Sequence, residues 1–494
     1  DFDPALTRIS DCGGLKGYVA EVGVEMLLNN HYSYWYRWGV PEADNGADDG
    51  GGGPTDYTTT NVQEEGVDEL DIVKTDGNFI YTVQDRALYI VKTWPVADSE
   101  LVSSVTLDGW GQGLFLQGDT LYVFSNLYRY DEQSPETDWL RGWSGTRVQV
   151  IDITDRANPS VTRTIDLEGY MADARFIDGH LYGVLNHWMY LDNGLWQLGQ
   201  DAGLPEVNWE LEGEALEDDI AEKRAQAKEI LTPLVATWAA NLSEDDLLPR
   251  FKDSASGAAD PQTLLACADL YRPQTPAHYN VLSVVHLGGP TDALDATGIV
   301  SDGWTLYASR DNLYVAQTSW WWWWGWGEQE LSTHIHKFKL DESGEPQYAA
   351  TGVVAGWLYD QFAMSEWDGH LRVTASEVDW WWNWRFEEDA EADRPPGNNV
   401  SVLRDDGDGA LEIVGQIEGI APGEQIYATR MMGPKGYMVT FEQIDPLFTL
   451  DLSDHTDPKV VGELKIPGYS AYLHPMGPDH LLAVGMAGTD DGQI

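Results

Sequence analysis

Apolar and polar residues alternate in short runs along most of the chain, each run broken by a Gly-, Asp- or Asn-containing turn, and this spacing predicts β-strands joined as hairpins. The unit recurs as IVKTDGNFIYTV around Asp76-Gly77, LFLQGDTLYVF around Gly118-Asp119 and ARFIDGHLYGVL around Asp178-Gly179. It returns as LYASRDNLYVA around Asp311-Asn312, AMSEWDGHLRVTA around Asp368-Gly369, TRMMGPKGYMVTF around Gly433 and LHPMGPDHLLAVG around Gly477, seven copies in all.

Most copies are followed by a third and a fourth alternating run, as in RVQVIDIT then SVTRTIDLEGY. The fourth run repeatedly closes on a glycine with a bulky neighbour: Gly109-Trp110, Gly169-Tyr170, Gly356-Trp357, Gly419-Ile420 and Gly468-Tyr469. Four short strands per unit, repeated in this way, predict an all-β chain folded as a β-propeller of seven or eight four-stranded blades. Between third and fourth strands, Asp152 to Pro159 and Asp451 to Pro458 share a pattern whose Asp and Ser/Thr side chains suit local backbone amides, a structural turn.

Two segments break the rhythm. Residues 1–57 hold the helix-compatible LKGYVAEVGVEMLL and the linker DNGADDGGGGP, and read as an N-terminal helical cap with a flexible joint, ahead of a propeller over 58–494. ALEDDIAEKRAQAKEILTPLVATWAANL marks a helical insertion, about 200–270, between the second and third strands of the third unit.

TTNVQEEGVDELDIVKTDG, DCGGLKGYV, CADLYRP, YDQFAMSEWDGHLRV and APGEQIYATRMMGPKGYMVTFEQIDPLFTLDLSD together resemble the secreted prokaryotic β-propeller family distantly related to WD-40 repeats. The resemblance spreads over nearly the whole chain. It implies a fold and an exported location but no reaction, because that family is largely uncharacterised. It also implies further strands after GMAGTDDGQI, so the last blade is expected to be incomplete, with TTTNVQ a candidate to close it. An open sheet edge there would suit pairing with another chain.

Charge narrows the function. Lys+Arg number 29 against 82 Asp+Glu, a net −53, which excludes a basic groove for nucleic acid and docking on anionic lipid. No apolar run reaches the roughly 18 residues of a membrane-spanning helix. The start at Asp1, without Met or an apolar leader, leads to the expectation of a processed, secreted or cell-surface protein. Cys12 and Cys267 lack CxxC or Cys/His neighbours and read as one long-range disulfide rather than a metal site, with two free thiols the alternative.

The most unusual feature is two tryptophan runs, Trp320, Trp321, Trp322, Trp323, Trp324 and Trp326, then Trp380, Trp381, Trp382 and Trp384, each after the second strand of its unit. Ten indoles carry on the order of 2,000 Å² of mostly apolar surface, far beyond the few hundred Å² that soluble monomers expose. They are expected to be covered by one another, by further copies in an oligomer or filament, by another surface protein, or by a glycan. For metals, Asp405, Asp406 and Asp408 lie in a Gly-rich turn, and Asp68, Asp71 and Asp76 cluster behind Glu64 and Glu65. Such oxygen-rich loops suit Ca²⁺, or else cap turn amides. His334 and His336 share a strand face but lack a visible third ligand, and no GxSxG, HExxH or P-loop pattern occurs. The reading is a non-catalytic binding and assembly module with a Trp-rich face. The alternative is an extracellular carbohydrate-binding protein, or a metal- or quinone-dependent enzyme with its site at the propeller axis.

Overall fold

The computed structural model describes residues 5–32, 62–129, 137–191, 194–274, 279–319, 331–341, 343–377, 396–441, 445–466, 469–477 and 480–486. They fall into two compact units, one of Thr7–Asp302 and one from Gly303 onward with Ala5 and Leu6.

Thr7–Asp302 is built on three antiparallel sheets of consecutive strands. The first takes Val73–Thr75, Phe79–Gln84, Ala87–Lys92 and Glu100–Thr106. The second takes Trp110–Gln117, Thr120–Tyr128, Ser144–Asp152 and Ser160–Glu168, the third Tyr170–Ile177, His180–Trp188, Asn280–Leu287 and Leu294–Ile299. Middle strands are buried on both faces, which is why they read as nearly unbroken hydrophobic runs. In Thr120–Tyr128, Leu121 and Val123 pack toward the first sheet while Tyr122 and Phe124 pack toward the third.

Additional strands cover the edges. Arg250–Asp253 extends the second sheet, and Leu270–Arg272 with Thr7–Arg8 extends the third. Val67–Glu69 pairs with the inner strand Tyr170–Ile177, Asp68 opposite Phe176.

Between His180–Trp188 and Asn280–Leu287 the chain forms α2 (Gly194–Asp201), α3 (Glu214–Ala240) and α4 (Glu244–Leu247), and α1 (Cys12–Tyr32) packs against α3. Leu15, Val19, Val22 and Leu28 of α1 meet Leu231 and Val235 in one buried cluster with Tyr279 and Val281 at the end of the third sheet. Gly23 permits this approach: a Cβ there would stand 2.9 Å from the Tyr279 hydroxyl and 3.0 Å from Val235. Cys12 and Cys267 form a disulfide across 255 residues, with Cα atoms 5.1 Å apart.

The unit from Gly303 onward repeats the plan. Its fourth sheet is Thr305–Ala308, Asn312–Ser319, Ser332–Leu340 and Pro346–Ala355, and its fifth Met364–Trp367, His370–Ser376, Asn398–Asp405 and Leu411–Ile420. The sixth is Gln425–Met432, Lys435–Phe441, Asp445–Asp451 and Lys459–Ile466, and the seventh pairs Tyr469–Pro475 with Leu481–Met486. The seven hairpins of the sequence are therefore the first two strands of seven sheets.

The repeated Asp turns are structural. Asp152 accepts from the Thr154 amide and hydroxyl at 2.8 and 2.7 Å, and Asp451 from those of Ser453 at 3.0 and 2.6 Å. The closing glycines have one explanation at three junctions, because each lies against the last carbonyls of the next sheet's second strand. A Cβ on Gly109, Gly169 or Gly356 would approach the carbonyl oxygen of Asn126, Asn186 or Ser376 to 2.5, 2.8 or 2.6 Å. The bulky neighbour then pairs with that strand, Trp110 opposite Asn126, Tyr170 opposite Asn186 and Trp357 opposite Ser376.

Candidate functional site

The two tryptophan runs lie outside the described residues, but their roots are described and share one linker. The first run departs from Asn312–Ser319 and returns to Ser332–Leu340, where the Thr318 and Thr333 hydroxyls meet at 3.0 Å. Thr333 donates to the Gly356 carbonyl at 2.7 Å, and the Gly356 amide donates to Leu331 at 2.6 Å. One residue on, Trp357 and Ser376 exchange both backbone hydrogen bonds at 2.9 Å, fixing the departure of the second run. Its return is fixed by Glu377, whose amide donates to Gly397 at 2.9 Å and whose carboxylate accepts from Asn399 Nδ2 at 2.6 Å. Gly356-Trp357 thus bonds to a described strand end beside each run, Gly356 at Leu331 and Thr333 and Trp357 at Ser376.

From that linker a row of aromatic rings runs toward the sixth sheet. Trp357 and Tyr359 have centroids 6.1 Å apart, Tyr359 and Tyr427 5.9 Å, and Tyr427 and Phe441 5.6 Å. Trp357, Tyr427 and Phe441 are half-buried, and Tyr359 is 45% exposed. A second row sets Phe362 5.5 Å from Tyr472 and Tyr472 6.2 Å from His474, with the Arg430 guanidinium 5.1 Å above the Phe362 ring. Between the rows, Asp360 accepts from the Phe362 amide at 2.8 Å. Burial pushes its carboxyl up to about 6, against the pull of these amides and of Arg430. The rim therefore carries tilted and edge-to-face ring contacts, with Tyr359 the exposed member, beside an acid whose charge changes near pH 6.

A model of the beta propeller domain family matches residues 57–494. The chain belongs to that family. Propeller relatives include an uncharacterized protein of Methanocaldococcus jannaschii, 29% identical over 460 residues that cover 89% of this chain and 67% of that protein. An uncharacterized protein of Archaeoglobus fulgidus is 26% identical over 478 residues, covering 87% and 67%. The chain spans about two thirds of the length of both relatives. The crystal structure of Kluyvelomyces marxianus Hsv2 aligns over 79% of this chain and 83% of its own at 10% identity, with a TM-score of 0.30 too low to carry an argument.

In this propeller the carboxylates singled out from sequence do not converge. Asp68 pairs with the buried ammonium of Lys74 at 2.8 Å, Asp71 accepts from the Val73 amide, and Asp76 accepts from the amides of Asn78 and Phe79 and the hydroxyl of Tyr81. Asp405 lies 3.2 Å from Lys337 and 2.8 Å from Lys339, Asp406 accepts from the amides of Asp408 and Ala410, and Asp408 is exposed. Among the described residues no group of three or more His, Cys, Asp or Glu side chains is placed to hold a metal ion. His336 is buried with Nδ1 2.9 Å from the Thr351 hydroxyl, and burial lowers its pKa to about 3.

Two features carried no sequence signal that was used. One is the aromatic row, in which Trp357 and Tyr359 follow a closing glycine while Tyr427 and Phe441 lie in the first two strands of the sixth sheet. The other is a buried carboxylate clasp in Thr7–Asp302, where Glu168 accepts from Arg141 Nε and Nη2 at 3.2 and 2.5 Å and from Arg250 Nε and Nη2 at 3.3 and 3.0 Å. Burial alone would raise Glu168, but these hydrogen bonds carry it down to about 2. The clasp joins the loop of Arg141 to the end of the helical insertion.

Proposed function

We propose that the protein is a non-catalytic binding and assembly module whose partner surface is the aromatic rim of the fourth to sixth sheets, extended by the two tryptophan runs. The shared root at Gly356-Trp357 supports this reading, since the strand ends from which both runs depart bond to one linker, and that linker also carries Trp357 and the exposed Tyr359. Aromatic residues anchor interfaces because they bury much apolar area at low entropic cost. Seven of the eleven described tryptophans are exposed, Trp143 at 84%, in keeping with a surface that meets partners. A propeller domain itself suggests an interaction or scaffold-type module, and its relatives bring no reaction with them.

The seven sheets are taken as seven blades, six of four strands and one of two. The Cys12–Cys267 disulfide suits an oxidising, extracytoplasmic location, and no helix among the described residues is long and apolar enough to cross a membrane. The test is multi-angle light scattering and electron microscopy of the purified chain beside a variant with Trp320, Trp321, Trp322, Trp380, Trp381 and Trp382 replaced by Ser. Assembly of the first and not the second is expected. A wild type that stays monomeric at high concentration with its Trp emission already blue-shifted would overturn self-assembly. The exposed ring of Tyr359 supports sugar stacking as a second reading, and a glycan array with Trp321→Ala, Trp381→Ala and Tyr359→Ala variants separates the two. Ca²⁺ stabilisation forms its own arm, read as a melting shift between Ca²⁺ and EDTA.

A further inference from the structure

We propose that Asn241 carries an N-linked glycan, transferred after the chain has folded. The sequence holds two Asn-x-Ser/Thr triplets in which x is not Pro, Asn241-Leu242-Ser243 and Asn399-Val400-Ser401, while Asn158-Pro159-Ser160 is ruled out by its proline. The structure puts them in opposite surroundings.

Asn241 follows the last turn of α3, where its amide donates to the Trp238 carbonyl at 3.0 Å. Its side chain is exposed, and Nδ2 donates to the Thr237 carbonyl at 2.9 Å on the solvent side. Ser243 starts α4 in a reciprocal cap: its amide donates to Asp246 Oδ2 at 2.7 Å and its hydroxyl accepts from the Asp246 amide at 3.3 Å. Leu242 is buried between them, so the triplet is a short turn pinned by its middle residue with the asparagine facing water.

Asn399 is 2% exposed in the third strand of the fifth sheet. Its Nδ2 donates to Glu377 at 2.6 Å and its Oδ1 accepts from the Gly419 amide at 3.1 Å, which fixes the root of the second Trp loop. A sugar on this nitrogen would remove one of its two N–H groups and place a pyranose where side chains are packed. A folded fifth sheet and a glycan at Asn399 therefore exclude one another. A transferase meeting the unfolded chain would see both triplets alike, whereas one meeting the folded chain finds Asn241 alone.

The reaction needs a lipid-linked (di)phosphosugar as co-reactant. Asn241 Nδ2 bonds to the sugar C1 as the C1–O bond to phosphate breaks, the phosphate leaves with the bonding electron pair, and one Nδ2 proton passes to a base of the transferase. No oxidant or reductant enters. The inference rests on the extracytoplasmic reading drawn from the disulfide, since the donor and its transferase must be in the same compartment as the folded chain.

The experiment exports the full chain from a host with an N-glycosylation system, beside a control glycoprotein, and measures intact and peptide masses. One glycan is expected on the Asn241 peptide and none on the Asn399 peptide. It is expected to vanish in Asn241→Gln and in Ser243→Asp, which keeps the helix cap but breaks the triplet, and to persist in Ser243→Thr and Ser401→Ala. A disulfide-bonded, sugar-free chain beside an occupied control would overturn this proposal and leave the export reading intact. A chain recovered reduced from that compartment would remove both, and a glycan at Asn399 would refute transfer to the folded chain.

Discussion

His187 offers a test of the buried layer between the second and third sheets. Its side chain is 2% exposed, neither ring nitrogen has a hydrogen-bond partner among the described residues, and its ring stands edge-on to Tyr190 at 5.4 Å. Burial lowers its pKa from 6.5 to about 3; Glu168 opposes the shift, and Arg141 and Arg250 add to it. Between those two values the unfolded chain holds a proton that the folded chain refuses, so stability falls as pH falls. The limiting slope is about 1.4 kcal/mol per pH unit, and the loss accumulates to about 2.7 kcal/mol between pH 7.5 and 4.5. That is a large share of the roughly 5–15 kcal/mol by which a domain is stable. His187→Phe removes the proton site and keeps a flat ring in place. Urea unfolding of both proteins at pH 7.5, 6.0, 5.0 and 4.5, at constant ionic strength, measures the difference, in which groups common to both cancel. Glu168 in particular stays ionised in this window, because its folded-state value near 2 means its contribution is complete above the ordinary carboxylate range and is lost only below it. The wild type should lose about 2.7 kcal/mol more than the variant from pH 7.5 to 4.5. Parallel loss in the two proteins would refute the assignment of His187 as a neutral buried base.

Asp360 has the opposite sign: its folded pKa near 6 lies above the ordinary 3.8, so its charge costs stability at neutral pH. Asp360→Asn, which keeps an oxygen for the Phe362 amide, should stabilise the chain by about 3 kcal/mol at pH 7.5, the gain fading as pH falls through 6 and gone below 3.8 in denaturant titrations. Replacing Cys12 and Cys267 by Ser frees a loop of 255 residues, and the chain-entropy relation sets the loss at about 5 kcal/mol. An unchanged unfolding midpoint would show that the bridge does not restrain the unfolded state. Gly356→Ala puts a methyl 2.6 Å from the Ser376 carbonyl at φ 92°, and should cost about 1–3 kcal/mol while loosening both Trp loops, read as a red shift of Trp emission and weaker self-association. If melting falls but emission and assembly do not change, the shared root does not position the runs.

What could be read from sequence was local. Asp178-Gly179 takes positive φ at both residues, 47° and 95°, so its turn chemistry and the alternation around it announce a hairpin without reference to anything distant. The same holds for the Asp152 and Asp451 turns, whose side chains satisfy amides two residues away. What escaped was set by partners far along the chain. Asp68 sits in a strand that pairs with Phe176, and the partner that neutralises it is a lysine the fold has buried. From sequence alone the same carboxylate reads equally as a calcium ligand. His334 and His336 are alike in the alternation, yet only the tertiary fold shows that His336 is buried against Thr351. The aromatic row is invisible for a related reason, because Trp357, Tyr359, Tyr427 and Phe441 become neighbours only when the fifth and sixth sheets pack.

Charge and aromaticity bear on where a second copy or another partner can touch this surface. At a net −53, two copies repel at long range, and at about 0.1 M salt that repulsion is screened beyond roughly 10 Å. Contact is then favourable only where apolar area is removed from water faster than carboxylates are brought together. On the proposed reading, the row from Trp357 to Phe441 would be such a place, since the neighbouring Asp360 loses its charge near pH 6. The linkers that carry the row are held to the strand ends by backbone hydrogen bonds, so the rings need little ordering when a partner arrives.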